Sequence, residues 1–565
     1  MPDTAPKPAP ALRVWPGIVA ASLLLIARFG VKWLIPGFEG FGKAINGTFI
    51  AAALILLWWL FASRAPWIDR LGGLLLMVGT LAGAWAIRDV SMGPQWLVAY
   101  ALPLTLTTFV GVNWLTQDMP HGRRRKLTTV ALVAVAGLWA LFRTDGVDGD
   151  HNALFAPRWT TTAEERLADV DLKTASGETG TLADGAPAWP GFRGLHRDGH
   201  AAGTHIATDW QTTAPEELWR HPVGPGWSSF AVHGDRLYTQ EQRGELEAVS
   251  CYGVDDGKLI WSHTDKIRFF EAMAGAGPRS TPALGHGRVY ALGATGRLNA
   301  LDAADGSLIW STDVAEDGEV STPMWGFSGS PLVVGDLLMV PASGRLLVYD
   351  TADGSLRAQG PDDGEGYASP QLFTLAGEPQ VVFGAGAGLT GFSTTGERLW
   401  HHEWKGFPMM QPAQTAEGDL VFNATEANGV RRLAIERRSD GWSAGERWTS
   451  TRLKPYFNDF VLHKGHLYGF DGRILACLDL ETGERVWKGG RYGNGQMLLL
   501  PDQDLLLVMA EKGEVALVDA KPDGYNERAK ITALPGKTWN HPVVVGDRLF
   551  VRNGEEMVAY RLPPA

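Results

Sequence analysis

Aromatic side chains with a few polar partners recur after residue 220, each set just before a short predicted strand. Aromatic faces bind apolar or planar groups, and a few convergent polar groups orient a ligand. If the strands converge, these side chains line one mouth of a central funnel. The candidate residues are Trp227, Arg279, Trp325, Tyr367, Met409, Met410, Asn458, Asp459, Gln496, Trp539, Asn540 and His541. The same composition is typical of an ordinary mouth without a ligand, and both interpretations stay open.

The elements that position these residues are marked by a repeated phrase: a hydrophobic strand, an Asp-Gly or Thr-Gly turn, and a Trp. Copies end at Trp261, Trp310, Trp400 and Trp487, a copy that is one residue out of step ends at Trp448, and the copy that ends at Ala358 has lost its Trp. Successive copies lie 39 to 49 residues apart. A period of 40 to 50 residues built from short β segments is typical of a β-propeller, because one blade cannot bury both its faces alone.

The strand groups after Trp189 number eight, and the last one lacks a complete ending. The sequence therefore predicts an all-β, eight-bladed propeller. We expect its last blade to be completed by a strand from the start of the repeat region, residues 217–220. Such closure removes two sheet edges that would otherwise remain unpaired.

The phrase Trp189-Pro190-Gly191-Phe192-Arg193-Gly194 and the Trp-ending repeats resemble the PQQ-like β-propeller repeat proteins, and the resemblance covers residues 189 to 565. It implies a propeller domain over 188–565. It also implies that four tryptophans pack between neighbouring blades. These are Trp261, Trp310, Trp400 and Trp487.

That superfamily contains quinoprotein dehydrogenases, and several membrane-bound ones share this order of segments. As a PQQ-dependent dehydrogenase, the chain would oxidise an alcohol or sugar and pass electrons to a membrane quinone. Asp459 would be the catalytic base, Arg279 would pair with a PQQ carboxylate, and Trp227 or Trp325 would stack on the cofactor. Ca²⁺ or Mg²⁺ would be required. The mouth residues proposed for cofactor binding also include Tyr367, Asn458, Gln496 and His541.

Three features favour a binding module instead. A propeller of about 375 residues is shorter than those of the enzymes. Asp459 has no acidic neighbours at the spacing of Ca²⁺ ligands, so no metal site is predicted. No Cys-x-x-Cys-His motif provides an attached haem. The superfamily also includes cofactor-free scaffolds, so the favoured function is a binding or assembly module for an envelope protein or polymer, without a cofactor.

The N-terminal part has a different composition. Residues 1–143 contain 13 Lys and Arg against 5 Asp and Glu, whereas the remainder contains 38 against 57. An acidic propeller with no basic stripe excludes nucleic acid as the main partner. Five apolar stretches predict five transmembrane helices within 1–143. They are 15–34, 48–63, 71–87, 95–115 and 127–142.

The charged residues between these stretches predict the topology. With the N-terminus in the cytoplasm, the inner side holds eight Lys and Arg residues and the outer side three. The chain is therefore predicted to lie in the lipid bilayer of the inner membrane, with a periplasmic propeller after an acidic, mostly extended linker over 144–187. Arg28 and Lys32 are expected to reach the interface by snorkelling, or else to form a polar site for a quinone or lipid head group.

Overall fold

The computed structural model describes residues 12–35, 37–149, 151–167, 182–425, 428–439 and 441–565. Two compact units are present. The first contains the chain up to Thr160 together with Ala272–Gly275, and the second contains Thr161–Glu271 and Ala276–Ala565.

Helices build the first unit, and prolines mark several of their starts. Pro66 and Pro120 immediately precede two helices, and Pro94 opens another, because proline is favoured where a helix begins. Three π-helical turns interrupt the helices, at Ile26–Gly30, Trp58–Ala62 and Leu97–Ala101. The α-helices are α1 (Trp15–Leu25), α2 (Val31–Leu34), α3 (Gly37–Leu57), α4 (Trp67–Ile87), α5 (Pro94–Trp96), α6 (Leu102–Leu115) and α7 (His121–Trp139).

Three helical segments of the described chain are long and apolar enough to cross a membrane: Gly40–Ala62, Trp67–Ile87 and Pro94–Leu115. Five were predicted. The first predicted span has a shorter apolar helix, Trp15–Gly30, and the fifth, α7, begins with a turn rich in cations. The helix of the second predicted span, α3, begins at Gly37 and not at residue 48.

Arg28 does not reach an aqueous interface. It is 3% exposed, its Nε donates to the Ala99 carbonyl at 2.7 Å, and its guanidinium lies 4.8 Å from the Tyr100 ring centroid. The Lys32 side chain lies outside the described residues.

The segment predicted as a linker is partly folded. Strands β1 (Phe142–Val147) and β2 (Ala153–Pro157) form an antiparallel hairpin, and α8 (Ala163–Leu167) follows. Residues 168–181 of the predicted linker lie outside the described residues.

Eight four-stranded antiparallel sheets build the second unit, which confirms the predicted eight-bladed propeller. Blade 1 contains β4 (Ala231–His233), β5 (Arg236–Arg243), β6 (Leu246–Gly253) and β7 (Leu259–Asp265), and blade 2 contains β10 (Ala283–Gly285), β11 (Arg288–Leu292), β12 (Arg297–Asp302) and β13 (Leu308–Asp313). Blade 3 contains β14 (Leu332–Val334), β15 (Leu337–Ala342), β16 (Arg345–Asp350) and β17 (Leu356–Gln359). Blade 4 contains β18 (Gln371–Leu375), β19 (Glu378–Ala385), β20 (Gly388–Ser393) and β21 (Arg398–Glu403).

Blade 5 contains β22 (Ala413–Gln414), β23 (Leu420–Phe422), β24 (Val430–Arg438) and β25 (Gly441–Ser450). Blade 6 contains β26 (Val461–His463), β27 (His466–Asp471), β28 (Ile474–Asp479) and β29 (Arg485–Arg491). Blade 7 contains β30 (Gln496–Leu500), β31 (Leu505–Met509), β32 (Glu514–Asp519) and β33 (Glu527–Thr532). Between blades 1 and 2 lie β8 (Phe270–Glu271) and β9 (Gly275–Ala276), and the short helix α9 (Val314–Asp317) follows β13.

Blade 8 joins the two ends of the propeller. Its sheet has the order β3-β36-β35-β34, built from β34 (Val543–Val545), β35 (Arg548–Arg552), β36 (Glu556–Arg561) and β3 (Glu216–Pro222). Trp219 pairs with Ala559 and Arg220 with Val558. The predicted closing strand, 217–220, thus lies within β3 and completes the sheet from the opposite end of the repeat region.

Neighbouring blades are joined by a contact between an indole and a glycine turn. The Trp261 Nε1 donates to the Ala303 carbonyl of the next blade at 3.2 Å, and a Cβ added at Gly306 would lie 2.4 Å from the Trp261 ring. Trp310 makes the same contact with Thr351 and Gly354. The repeated Gly therefore provides the space into which the previous blade's Trp packs.

The other two predicted tryptophans, Trp400 and Trp487, vary this arrangement. Trp487 Nε1 donates to the Lys521 carbonyl at 2.7 Å, whereas Trp400 Nε1 donates to Gln380 Oε1 of its own blade at 2.7 Å. Where Ala358 replaces the Trp, a Cβ added at Gly396 would lie 3.0 Å from the Ala358 Cβ. At that position two small residues, Ala358 and Gly396, lie against each other, and no indole separates the two blades.

Candidate functional site

A series of inter-blade hydrogen bonds, called the belt below, runs around the propeller axis just before the innermost strands of blade 8 and blades 1 to 6. The backbone N–H of each of its first five residues donates to the side chain of the next, at 2.9, 2.9, 2.9, 2.5 and 2.8 Å. The Ser229 hydroxyl donates to the His541 carbonyl at 2.6 Å and so joins blade 1 to blade 8. The belt residues are Ser229, Thr281, Ser330, Ser369, Gln411, Asp459 and His541.

Asp459, the predicted catalytic base, is a member of the belt. It is 2% exposed, and its two carboxylate oxygens accept from the Gln411 backbone N–H at 2.8 Å and side-chain amide at 3.3 Å. Its Oδ2 lies 3.8 Å from Arg193 Nε. Burial raises the pKa of Asp459, and the Arg193 charge opposes that shift. The carboxylate acts here as a buried acceptor that joins two blades.

The chain before the first blade, residues 189–207, lies across the propeller axis and is called the axial segment. Trp189 exchanges backbone hydrogen bonds with Val232 at 3.1 and 2.8 Å. Further along the segment, the Leu499 N–H of blade 7 donates to the Gly199 carbonyl and the Ala201 N–H donates to the Leu499 carbonyl, both at 2.8 Å. The segment therefore ties blade 1 to blade 7.

Two buried arginines of the axial segment reach the belt. Arg193 Nη2 donates to the Phe460 carbonyl at 2.8 Å, and Arg197 donates to the carbonyls of Ser330 and Pro331 at 3.0 and 2.7 Å. Burial and the neighbouring Arg193 charge lower the pKa of Arg197 to about 9, although Asp459 opposes the shift. These charges neutralise one another in part and fill the centre of the propeller.

The axial segment closes one end of the funnel. In blade 1, Trp227 precedes the belt residue Ser229, whereas Val232, which binds the axial segment, follows it. Because an innermost strand runs along the propeller axis, Trp227 and the axial segment lie on opposite sides of the belt. The mouth is therefore a cup with a closed floor.

One side of the cup carries an aromatic group, called the mouth cluster, of Trp227, Tyr456, Phe457, Lys537 and Trp539. The Trp227 and Trp539 rings lie 4.9 Å apart, and the Phe457 ring lies 5.1 Å from Trp539. Lys537 Nζ lies 5.0 and 4.5 Å from the two indole centroids, within cation–π range. The two tryptophans and the lysine are half-buried.

On the other side of the mouth, Trp325 and Tyr367 form a second aromatic pair with centroids 5.0 Å apart. Arg279 lies beside this pair, donates to the Trp325 carbonyl at 3.3 Å and pairs with Glu271 at 3.2 Å. Burial lowers the pKa of Arg279 to about 10, although Glu271 opposes the shift. The predicted anion-binding guanidinium is thus already matched by a carboxylate.

Two exposed apolar residues lie in the same loops and were not predicted. Met324 is 58% exposed and Phe407 is 50% exposed. Met324 immediately precedes Trp325, and Phe407 lies two residues before Met409, so their positions in the repeat could have identified them. The sequence analysis also missed Phe457 and Lys537, because other residues of the same two loops were chosen as candidates.

The remaining predicted residues are buried beneath the mouth. Asn458 Nδ2 donates to the Gly495 carbonyl, and Gln496 Nε2 donates to the Phe457 carbonyl at 3.3 Å. His541 is 3% exposed and its Nδ1 lies 2.9 Å from the Pro542 carbonyl. Burial lowers the pKa of His541 to about 3, with Arg193 adding to the effect.

Known proteins share this architecture. A family model described as outer membrane protein assembly factor BamB matches residues 208–381. This part of the chain is similar to the PQQ-like repeat proteins. No curated protein sequence matches the chain.

Two solved structures are similar to this chain. BamB from Moraxella catarrhalis is 16% identical, covers 61% of this chain and 97% of its own, and has a TM-score of 0.45. Quinohemoprotein alcohol dehydrogenase from Comamonas testosteroni is 12% identical, covers 71% of this chain and 84% of its own, and has a TM-score of 0.51. At 12% identity, the similarity to the alcohol dehydrogenase shows the fold alone.

The residues of this PQQ-like propeller do not fit a quinone cofactor with its divalent ion. Such a site needs several oxygen ligands around one cation. Both oxygens of Asp459 accept from Gln411, and the carboxylate faces two guanidinium groups. Across the described ranges, no group of three or more His, Cys, Asp or Glu side chains is placed to hold a metal ion.

Proposed function

We propose that this chain is a membrane-anchored propeller that binds a protein partner of the cell envelope at its mouth. The observation that carries the proposal is the set of accessible apolar side chains around a closed cup. Met324 and Phe407 are at least half exposed, and Trp227, Trp325 and Trp539 are half-buried beside them. Aromatic and methionine side chains are enriched in protein interfaces, where a few of them supply most of the binding energy.

The charges at the mouth support binding more than catalysis. Asp459 and Arg279 already have partners within the propeller, so neither is available as a base or as an anion clamp. Lys537 lies over both indoles of the mouth cluster. An apolar segment of a partner protein would match this surface.

The arrangement in the cell is part of the proposal. Residues 1–143 span the inner membrane with the N-terminus in the cytoplasm, residues 144–187 link the two parts, and residues 188–565 form a periplasmic propeller. The apolar helices and the surplus of cations on the predicted inner loops support this topology.

Site-specific photo-crosslinking in intact membranes tests the function. A photoreactive phenylalanine analogue replaces Phe407 at the mouth or, as the control, Leu308 on the outermost strand of blade 2, which is 51% exposed. We expect a discrete crosslinked protein band from position 407 and none from position 308. Equal patterns at both positions, or no protein band at position 407 and at position 324, would contradict a mouth-specific protein partner.

The alternative, a PQQ-dependent dehydrogenase, draws support from the shared fold, but one fold hosts many unrelated activities. Titration of the purified full-length chain with PQQ and Ca²⁺, followed by Trp fluorescence, separates the two proposals. Stoichiometric, saturable quenching that is lost in Trp227→Leu would favour the dehydrogenase. Absence of saturation would leave the binding module.

A further inference from the structure

We propose that the helical unit binds one anionic phospholipid in a cavity between α4, α6 and α7, with the lipid phosphate at Arg124 and Arg125. This site lies outside the propeller and does not depend on the partner proposed for the mouth. Three independent features carry the inference: a charge surplus, a cavity of suitable shape, and an unpartnered hydroxyl.

The charge surplus surrounds Asp69 in the first turn of α4. Its carboxylate accepts from Arg124 at 3.1 Å and from Arg125, and His121 Nδ1 lies 3.1 Å away. Asp69 and Arg124 are 7% and 4% exposed. One carboxylate therefore faces two permanent cations and a histidine, which leaves at least one positive charge for an external anion. Arg123 and Lys126 on the same turns increase the local positive potential.

A cavity of about 330 Å³ lies beside these charges. Its walls combine the guanidinium groups with apolar and aromatic side chains, which include Trp59, Ile68, Leu76 and Phe109. Ile68 is 68% exposed at its edge. In a membrane, that edge contacts hydrocarbon, so the cavity offers one polar and one apolar surface to a single molecule. A phosphate attached to an acyl chain matches both surfaces, whereas free phosphate matches only the first.

The polar lining contains a hydroxyl that has no partner. Thr128 lines the cavity, is 5% exposed, and its Oγ1 makes no hydrogen bond within the described part of the chain. A buried hydroxyl without a partner is energetically costly. A phosphate oxygen at Arg124 would accept its hydrogen, since Thr128 lies one helical turn further along α7.

Gly72 supplies the test of the site. It lines the cavity on α4, and a Cβ added there meets no atom within 4 Å. A leucine at this position would occupy the cavity without displacing the backbone. Gly79 on the same helix also has open space, lies two turns away, and does not line the cavity. Gly72→Leu and Gly79→Leu therefore form a matched pair.

Native mass spectrometry of the detergent-solubilised full-length chain measures the binding. Phosphatidylglycerol, phosphatidylcholine and inorganic phosphate are the three probes. We expect one phosphatidylglycerol per chain, bound at least tenfold more tightly than phosphatidylcholine. We expect Gly79→Leu to match the wild type, Gly72→Leu to weaken binding at least tenfold, and Thr128→Val to weaken it severalfold.

Equal affinity of wild type and Gly72→Leu would overturn the site, as would equal affinity for the two lipids. Displacement of phosphatidylglycerol by inorganic phosphate at comparable concentration would show an anion site that makes no use of the acyl chain, and would overturn the lipid assignment. None of these results bears on crosslinking at the propeller mouth, so the two proposals fail separately.

Discussion

Asp459 shows how the surroundings of a single residue decide its chemistry. By type it is a candidate base, but its position in the belt makes it the acceptor that joins blade 6 to Gln411. The sequence contains a signal for this. Five of the seven belt residues stand directly before a proline, which marks the start of the innermost strand. Aligning Asp459 with those positions would have predicted a structural role, whereas the charge of Arg193 and Arg197 beside it could not be predicted without the fold.

We expect Asp459→Ala to destabilise the propeller strongly, by about 3–5 kcal/mol, because it leaves two buried guanidinium groups without their carboxylate. Asp459→Asn should cost less, since its amide oxygen still accepts from Gln411. Chemical denaturation of the full-length chain, followed by Trp fluorescence, measures both. The exposed Glu397→Gln is the control and should leave the midpoint unchanged. A wild-type midpoint for Asp459→Ala would show that the belt does not need this charge.

The pH dependence of stability should report on His541. Its pKa is lowered from 6.5 to about 3 in the folded state, so below pH 6.5 the unfolded chain binds a proton that the folded chain does not. Stability attributable to this residue therefore falls as the pH falls from 6.5 towards 3, by up to about 1.4 kcal/mol per pH unit.

Comparison with His541→Gln isolates that effect, because glutamine does not titrate and all other groups are shared. We expect the difference in unfolding free energy between the two chains to change between pH 6.5 and pH 4.5, with the variant the less sensitive to acid. Parallel curves over this range would show that His541 is not buried in a neutral state.

The repeated elements were the most predictable part of the fold. The repeated strand groups predict the number of blades and the closing strand, and their spacing is regular because several indoles pack onto the glycine turn of the next blade. The axial segment was not predicted to lie across the funnel, since residues 189–207 occur once and no periodicity reports their contacts. The mouth residues were found in part: their loops were identified, but which side chain of each loop is accessible depends on packing.

At the level of the blade, Gly306→Ala should destabilise the propeller by more than about 2 kcal/mol. The new methyl group has to displace the Trp261 ring, and the alanine has to adopt the φ of +74° that position 306 requires. Gly287→Ala is the matched control, because its φ is +71° and no atom lies within 4 Å of the added Cβ.

The control should lose only the backbone contribution, about 1 kcal/mol. Thermal unfolding of both variants in the full-length chain gives the comparison. Equal losses would mean that the indole contact adds nothing to the cost of the backbone conformation.

For the whole molecule, the contrast between a cationic helical unit and an acidic propeller supports the proposed orientation in the membrane. Residues 1–143 carry 13 Lys and Arg against 5 Asp and Glu, and four of the cations lie together at 123–126. Clustered cations resist transfer across a bilayer, so this cluster supports the proposed topology, in which that end of α7 lies on the inner side. The helices that are apolar enough to span were predictable from composition, but the first and last segments were harder to identify because one is short and the other begins with charge.

A reporter enzyme that is active only in the periplasm, fused after Trp159, should therefore be active in cells. Replacing Arg123, Arg124, Arg125 and Lys126 by Gln should lower that activity by a large factor, because the main charge difference between the two sides is removed. Cytoplasmic reporter activity in the unaltered chain would contradict the proposed topology.

The axial segment has a consequence for the time course of biosynthesis. Residues 189–207 leave the ribosome before any blade, yet several of their hydrogen bonds are with blades 6 and 7 at the far end of the chain. Strand β3 likewise waits for β36, the last strand made. An N-terminal group of blades cannot be completed and sealed while translation continues. The nascent propeller therefore remains an open arc with unpaired edges until its final residues arrive, and throughout that interval it depends on protection from aggregation and proteolysis.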